Sequence, residues 1–469
     1  LISEGDSRFR LVQASELQTI ALQNTEADMK FDLLIQNGTV VLPWGETQAD
    51  IGVLNGHIAA IGKNLGSAAE LYDAANLHVL PGIIDPHVHF RDGGEGGIPG
   101  VEDMRSGTLG AILGGVTTVF DMPNTTPAAT SAETLTKKYE YITGHAHCDV
   151  GIYVGATKEN IPELGDYEAM PGVCAIKVFA GSSTGNLLVE DDASIEAAMR
   201  SGRRRIAFHS EDEYRLQARK PMFKSGDPYS NHAVWRDVEC AFLGTRRITA
   251  LAVKTNRPAH ILHVSSAEEL DYLKDYKHLM SVEVLLNHLV QCAPEVYERL
   301  GAYGVMNPPL RDARHLEAAW AAVADGTVDT IGSDHAPHSR AAKEKPWPDC
   351  AAGLTGVQTL LPMMLDQVNR GRLSLFRMVD LMSAGPARIY GAVNKGRIAA
   401  GYDADFAIVD LRAERRIENA QIASPCGWTP FDGTSVTGWP VATILRGQIA
   451  MQHGTATGAP IGRPVGFRS

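Results

Sequence analysis

From Phe31 to Val79 the apolar residues come in short runs broken by polar positions: FDLLIQNGTVV, ADIGVLNGHIAAIG and ELYDAANLHVL. Two of the breaks are Asn-Gly, which supplies the positive φ angles of a tight hairpin turn, so the pattern predicts a small antiparallel sheet. The character changes at Pro81. Fully apolar runs now alternate with helical ones, in GIIDPHVHF, EDMRSGTLGAILGG, VTTVFDMP and a helix from about Ala132 to Ile142. The alternation continues through CDVGIYVGA, GVCAIKVFAG, RRIAFHSE, PAHILHVSS, HLMSVEVLLNHL and VDTIGSDHAP. Continuous apolar strands between helices imply a parallel sheet covered on both faces. About eight such units over roughly 300 residues fit a (β/α)8 barrel. After Gly396 the hairpin style returns in GRIAAGYDADFAIVDL and VTGWPVATILRGQIAMQHG. The expected fold is therefore α/β, a TIM-type barrel over 81–394 inserted in a small β-sandwich made from 29–80 and 395–469, with 1–28 as an N-terminal tail.

Composition narrows the class of protein. The 469 residues carry 43 Lys+Arg against 55 Asp+Glu, a net charge of −12. Nucleic-acid binding and docking on anionic lipid both need clustered cations, so neither is expected. No apolar run of about 18 residues appears, so no membrane-spanning helix is expected. The first twenty residues, LISEGDSRFRLVQASELQTI, place charges where a secretion signal needs an apolar stretch. Six scattered cysteines without a CxxC pair read as reduced thiols in a cytoplasmic protein. Arg203–Arg205 read as a solvated helix end, Gly114-Gly115 as a helix-to-strand turn, and Lys343-Glu344-Lys345 as an exposed loop of the kind that serves as a lid.

The sixteen histidines carry the chemistry. In a barrel of this kind catalytic side chains sit at the C-terminal ends of strands. The first strand ends in His87-Val88-His89, and strand alternation puts the two imidazoles on one face at a spacing suited to one metal ion. An HxH alone suits packing equally well; the other strand ends tip the balance. Lys177 lies inside the apolar run VCAIKVFAG, His209 ends RRIAFHSE, His263 ends AHILHVSS, and Asp334 ends TIGSD. Four imidazoles and one carboxylate are too few to hold and bridge two divalent ions. A Lys177 carbamate, formed with CO2, would supply the bridge and remove the cost of burying an ammonium. Two such ions sharing the carbamate and a hydroxide would make a nucleophile available at neutral pH. Asp334 is then placed to pass a proton to a leaving nitrogen. The residues point to metal-assisted hydrolysis of a C–N bond.

At these positions the chain resembles the amidohydrolase superfamily, cyclic amidase branch, with class I dihydroorotases the nearest group and allantoinases and hydantoinases (dihydropyrimidinases) beside it. The resemblance runs from about Phe31 to Arg468 through GIIDPHVHFRD, GGVTTVFDMPNTTP, AIKVFAGSSTG, AFHSEDE, HILHVSS, MNPPLR, GSDHAPH, CGWTPFDG and KGRIAAGYDADFAIVDL. It implies two zinc ions, the more buried held by His87, His89, Lys177 and Asp334, the other by Lys177, His209 and His263. It also implies that Arg91, Asn124 and His338 contact a substrate carboxylate, with Asn307 on the substrate side. Arginine suits that task because its planar fork donates two parallel hydrogen bonds. The implied reaction is reversible hydrolysis of dihydroorotate to N-carbamoyl-L-aspartate in pyrimidine synthesis; the alternative is opening of allantoin or a hydantoin. A homo-oligomer (dimer or tetramer) and association with an aspartate transcarbamoylase are further expectations. The chain departs from its relatives after HFR, where most read EPGQE and this one has the longer DGGEGGIPGVEDM. It also departs at Asn287-His288-Leu289 and at Gln358. All six implied ligands are present.

Overall fold

The computed structural model describes residues 30–183 and 187–468; the expected tail over 1–28 lies outside the described residues. Seven short strands come first: β1 (Lys30–Gln36), β2 (Thr39–Leu42), β3 (Gly45–Gln48), β4 (Asp50–Leu54), β5 (His57–Gly62), β6 (Ser67–Asp73) and β7 (His78–Pro81). The barrel follows as β8 (Ile83–Val88), β9 (Val116–Asp121), β10 (Asp149–Gly155), β11 (Val173–Phe179), β12 (Ile206–His209), β13 (Ala259–Ile261), β14 (Met280–Leu285) and β15 (Thr330–Gly332). The chain then returns through β16 (Phe406–Arg416), β17 (Ser435–Leu445), β18 (Gln448–Gln452) and β19 (Thr455–Ala456).

The eight barrel strands pair in sequential order and in parallel. A parallel bridge between Val88 and His335 closes the ring, and the His89 N–H donates to the His335 carbonyl at 2.7 Å. Every residue of β8 to β12 is buried, as strands covered on both faces require. Helices between strands start on side-chain caps: Asp103 caps Met104–Leu113, Ser131 caps Ala132–Ile142, and Ser266 caps Ala267–Leu273.

The other strands form two sheets, β5-β4-β1-β6 and β19-β18-β17-β16-β7-β2-β3. Leu33, Ile35, Ile51 and Val53 of the first pack on Val40, Val79, Phe406, Ile408 and Ile444 of the second, giving the sandwich its core. One of the two Asn-Gly signals is a hairpin: Asn55 (φ 52°) and Gly56 (φ 79°) join β4 to its antiparallel partner β5. The other, Asn37-Gly38, is not. There the chain leaves one sheet for the other, and a Cβ on Gly38 would sit 2.9 Å from Val79 Cγ2 and 3.0 Å from Ala74 Cβ. Close sheet packing, not turn formation, demands that glycine.

The floor of the barrel is tied to the sandwich by charge. Lys395 is buried, with Nζ 2.6 Å from Asp149, 2.8 Å from Asp403 and 2.6 Å from Asp405. The Arg446 guanidinium also reaches Asp149, and residues 462–465 run beside β10 through Gly462 N–H to Ala146 O (2.8 Å) and Val465 N–H to Val150 O (3.0 Å). Two expectations change here. Arg204 and Arg205 are not solvated ends: they donate to the carbonyls of Val173, Ala259 and Leu279, capping the N-terminal ends of barrel strands. Nor is Lys343 in an exposed loop. It is fully buried in the short helix Arg340–Lys343, and its ammonium donates to three carbonyls, Val305, Ala351 and Gly353, at 2.8–3.0 Å. Those three acceptors replace the water that an exposed lysine would keep.

Candidate metal centre and substrate cleft

The C-terminal ends of β8, β11, β12, β13 and β15 bring His87, His89, Lys177, His209, His263 and Asp334 into the mouth of the barrel, all of them buried. His87 Nε2 and His89 Nε2 lie 3.2 and 3.1 Å from the same oxygen, Oδ1 of Asp334. Their other ring nitrogens are spoken for: His87 Nδ1–H donates to Glu283 Oε1 at 2.7 Å, and His89 Nδ1–H to Asn124 Oδ1 at 2.6 Å. A neutral imidazole has one N–H, so both Nε2 atoms face the carboxylate with bare lone pairs. Three electron-rich atoms converging on one point call for a cation, and these three residues form a group able to hold a metal ion.

On the far side of the barrel mouth, His209 Nδ1 and His263 Nε2 face each other at 3.0 Å. His209 Nε2 is turned to Glu211 Oε2 (2.9 Å), itself clamped by Arg236. Lys177 Nζ sits 4.5 Å from the Phe179 ring, with no carboxylate at ion-pair distance among the described residues. Burial pulls its pKa down to about 7, against the opposing pull of Asp334 and Glu283. A neutral amine is the form that adds CO2, so the donor set fits two ions bridged by a carbamate. Burial alone would raise the Asp334 pKa, but His87, His89 and Lys177 together hold it below the usual carboxylate range. Burial brings His89 to about 3, so that ring stays neutral.

The backbone is strained where the chemistry sits. Among the described residues, five side chains other than asparagine adopt positive φ, and three of them are Arg91 (63°), His263 (39°) and Asp334 (48°). Each conformation costs about 1–3 kcal/mol and persists only because its surroundings fix it. Around Arg91 those surroundings are visible. The Phe90 N–H donates to Asp121, Asp121 pairs with the fully buried Lys138 at 2.7 Å, and the extended loop beyond winds on Asp92, whose carboxylate accepts the N–H groups of Gly94, Glu95, Gly96 and Met104.

A small cleft of about 20 Å³ opens beside Asp334, lined by His89, Arg91, Asn124, Ser183, Asn307, Ala336, Ala352 and Gly353. Arg91 is 4% exposed, its Nη2 has no hydrogen-bond partner and no carboxylate pairs with it among the described residues. Burial lowers its pKa to about 10, leaving it a cation at neutral pH. Of the four expected substrate contacts, Arg91, Asn124 and Asn307 line the cleft. His338 stands behind the wall, donating Nε2–H to the Ala352 carbonyl at 3.1 Å. Sequence reasoning missed Glu283, Glu211 and Arg236, which orient the histidines; the one available signal was an acid inside the apolar run MSVEVL.

A barrel with convergent imidazoles, a carboxylate and a buried lysine at its mouth defines a metal-dependent hydrolase. The chain belongs to the Amidohydrolase family, whose profile matches residues 78–165 and 252–450, with the urease alpha-subunit N-terminal domain matching 15–79. Within that family it falls in the cyclic amidase branch. It is 33% identical to a dihydroorotase of Methanothermobacter thermautotrophicus over 90% of this chain and 95% of that one. It is 33% identical to an allantoinase of Deinococcus radiodurans over 94% and 100%. The solved L-hydantoinase (dihydropyrimidinase) of Arthrobacter aurescens superposes with a TM-score of 0.88 at 28% identity, covering 93% of this chain and all of that one.

Proposed function

We propose that this cyclic amidohydrolase is a dihydroorotase, opening the ring amide of dihydroorotate to N-carbamoyl-L-aspartate, reversibly, in pyrimidine synthesis. The observation that carries the choice is Arg91: a buried guanidinium on the cleft wall, unpaired among the described residues, suits a substrate that brings its own carboxylate. An uncharged ring would leave that cation unanswered.

His87, His89 and Asp334 would hold one zinc ion, His209 and His263 the other, with carboxylated Lys177 between them. When bound, the ions make hydroxide available near neutral pH and polarise the ring carbonyl. The protein's own groups do the rest. Arg91 fixes the carboxylate, and with it the ring's orientation, while Asn124 and Asn307 flank it. Asp334 takes the proton of the attacking water and delivers it to the ring nitrogen as the C–N bond breaks and the C–O bond forms. Glu283 and Asn124 keep the His87 and His89 lone pairs aimed inward throughout.

Relatives named dihydroorotase, L-hydantoinase and allantoinase lie together at 32–34% identity, so substrate must be measured. The experiment is a zinc-supplemented assay against dihydroorotate, allantoin and dihydrouracil. Strong preference for dihydroorotate is expected. Preference for an uncharged ring would sink the assignment while leaving the hydrolase and its metal ligands intact.

A further inference from the structure

Two loops far apart in the chain meet behind the cleft. Trp347 follows β15 and is 1% exposed; His232, in the short helix Asn231–Trp235 after β12, is 3% exposed. Trp347 Nε1 lies 3.2 Å from His232 Nδ1. His232 Nε2 lies 2.9 Å from both the Met306 carbonyl and Asn307 Oδ1. The polarity of this chain is forced from one end. An indole N–H can only donate, so His232 Nδ1 must accept. A neutral imidazole that accepts at Nδ1 carries its proton on Nε2, which suits the two oxygens it faces. Burial keeps the ring neutral, its pKa drawn down to about 3. With Oδ1 held by His232, Asn307 is left with its Nδ2 amide hydrogens as the group it can offer the cleft it lines.

We infer that Trp347 and His232 form a polarity relay that locks the Asn307 side chain as a hydrogen-bond donor toward a carbonyl oxygen of the bound ring, making Trp347 and His232 positioning residues for substrate binding. This rests on the cyclic-amide cleft proposed above and adds what recognises the ring itself, as distinct from its carboxylate. An Asn amide free to rotate would present oxygen or nitrogen; the relay removes the oxygen option. The pocket therefore selects a ring with a carbonyl acceptor at this wall and rejects an N–H there, because two donors would meet.

The test uses the metal-loaded enzyme and whichever cyclic amide the wild type opens, so a wrong substrate assignment does not confound it. Trp347→Phe keeps the aromatic volume and deletes the donor. Its KM should rise about threefold to tenfold, the scale of one neutral hydrogen bond, with kcat within about twofold and metal content unchanged. In an Asn307→Ala background the same substitution should add nothing, whereas a merely structural role for Trp347 would persist there. Nitrogen NMR of His232 should show a protonated Nε2 in the wild type. If Trp347→Phe does not fold, Asn307→Asp carries the test. It turns a second acceptor on the ring carbonyl, so kcat/KM should fall by roughly a hundredfold or more. A protonated Nδ1, an unchanged KM in W347F, an equal effect in both backgrounds, or full activity in N307D would each overturn the relay.

Discussion

Replacing Arg91 by Met separates carboxylate recognition from everything else the site does. The backbone at position 91 holds φ 63°, a strain that Met and Arg share, and Met keeps most of the apolar stem. No ion pair is broken, because Arg91 has no carboxylate partner among the described residues. The fold should therefore tolerate the change, with a melting temperature at or above that of the wild type. Substrate binding should not. Deleting one partner of a buried charge-assisted pair costs about 2–5 kcal/mol; at a central value of about 3 kcal/mol, kcat/KM for dihydroorotate falls by roughly 150-fold. Most of that should appear as a higher KM, since the guanidinium grips the substrate before and during reaction alike. Dihydrouracil, which lacks the carboxylate, should lose less than about threefold. The assay is steady-state kinetics on both rings, with metal content measured on the same preparations. Equal losses on the two substrates would mean that Arg91 shapes the site generally, and an unchanged KM for dihydroorotate would remove it as the anchor.

Other substitutions test the remaining parts. Lys177→Ala should lose the bridge between the ions and bind well below two metal equivalents per chain by elemental analysis; a full complement would refute the carbamate. Glu283→Gln weakens the acceptor that fixes the His87 tautomer at 2.7 Å, so metal affinity measured against a chelator should drop about 10- to 100-fold, and an unchanged affinity would reduce Glu283 to packing. Lys395→Met keeps the apolar stem but removes the buried cation shared by Asp149, Asp403 and Asp405, leaving Arg446 on Asp149 alone, and chemical denaturation should show a loss of about 3–5 kcal/mol while kcat of the surviving folded protein stays near wild type.

Much of this molecule is legible in its sequence, because the barrel's signal is repetitive. Eight apolar strands separated by amphipathic helices leave few alternatives, and each expected strand appears within a few residues of its place. The meeting of the candidate ligands is legible for a related reason: a strand end in such a barrel faces the mouth, so His87, His89, Lys177, His209, His263 and Asp334 could be gathered without knowing any distance. What stayed hidden depends on long-range packing. Asn37-Gly38 and Asn55-Gly56 are the same dipeptide in the same kind of context, yet only the second turns a hairpin. The difference is made by Val79 and Ala74, which crowd Gly38 from another segment. Lys343 looked solvated because its three acceptor carbonyls come from 38, 8 and 10 residues away. Glu283 and His232 belong to the site only through partners 196 and 75 residues distant in the chain. Local pattern reports which face a residue takes, not whom it meets there.

The charged floor of the barrel also sets an order of events during synthesis. Asp149 belongs to the third barrel strand, but two of its partners, Arg446 and the backbone N–H of Arg463, are translated 297 and 314 residues later. Until they emerge, Asp149 has Lys395 as its one counter-charge, beneath a barrel whose eight strands are already translated, and the segment 462–465 is not yet there to cover the edge of the third strand. Contacts of such sequence separation form slowly, and exposed strand edges are where nascent chains aggregate. The nascent chain would thus depend on chaperone shelter longest at its base, while the rim that carries the candidate metal ligands, the last of them Asp334, could assemble more than a hundred residues of translation earlier.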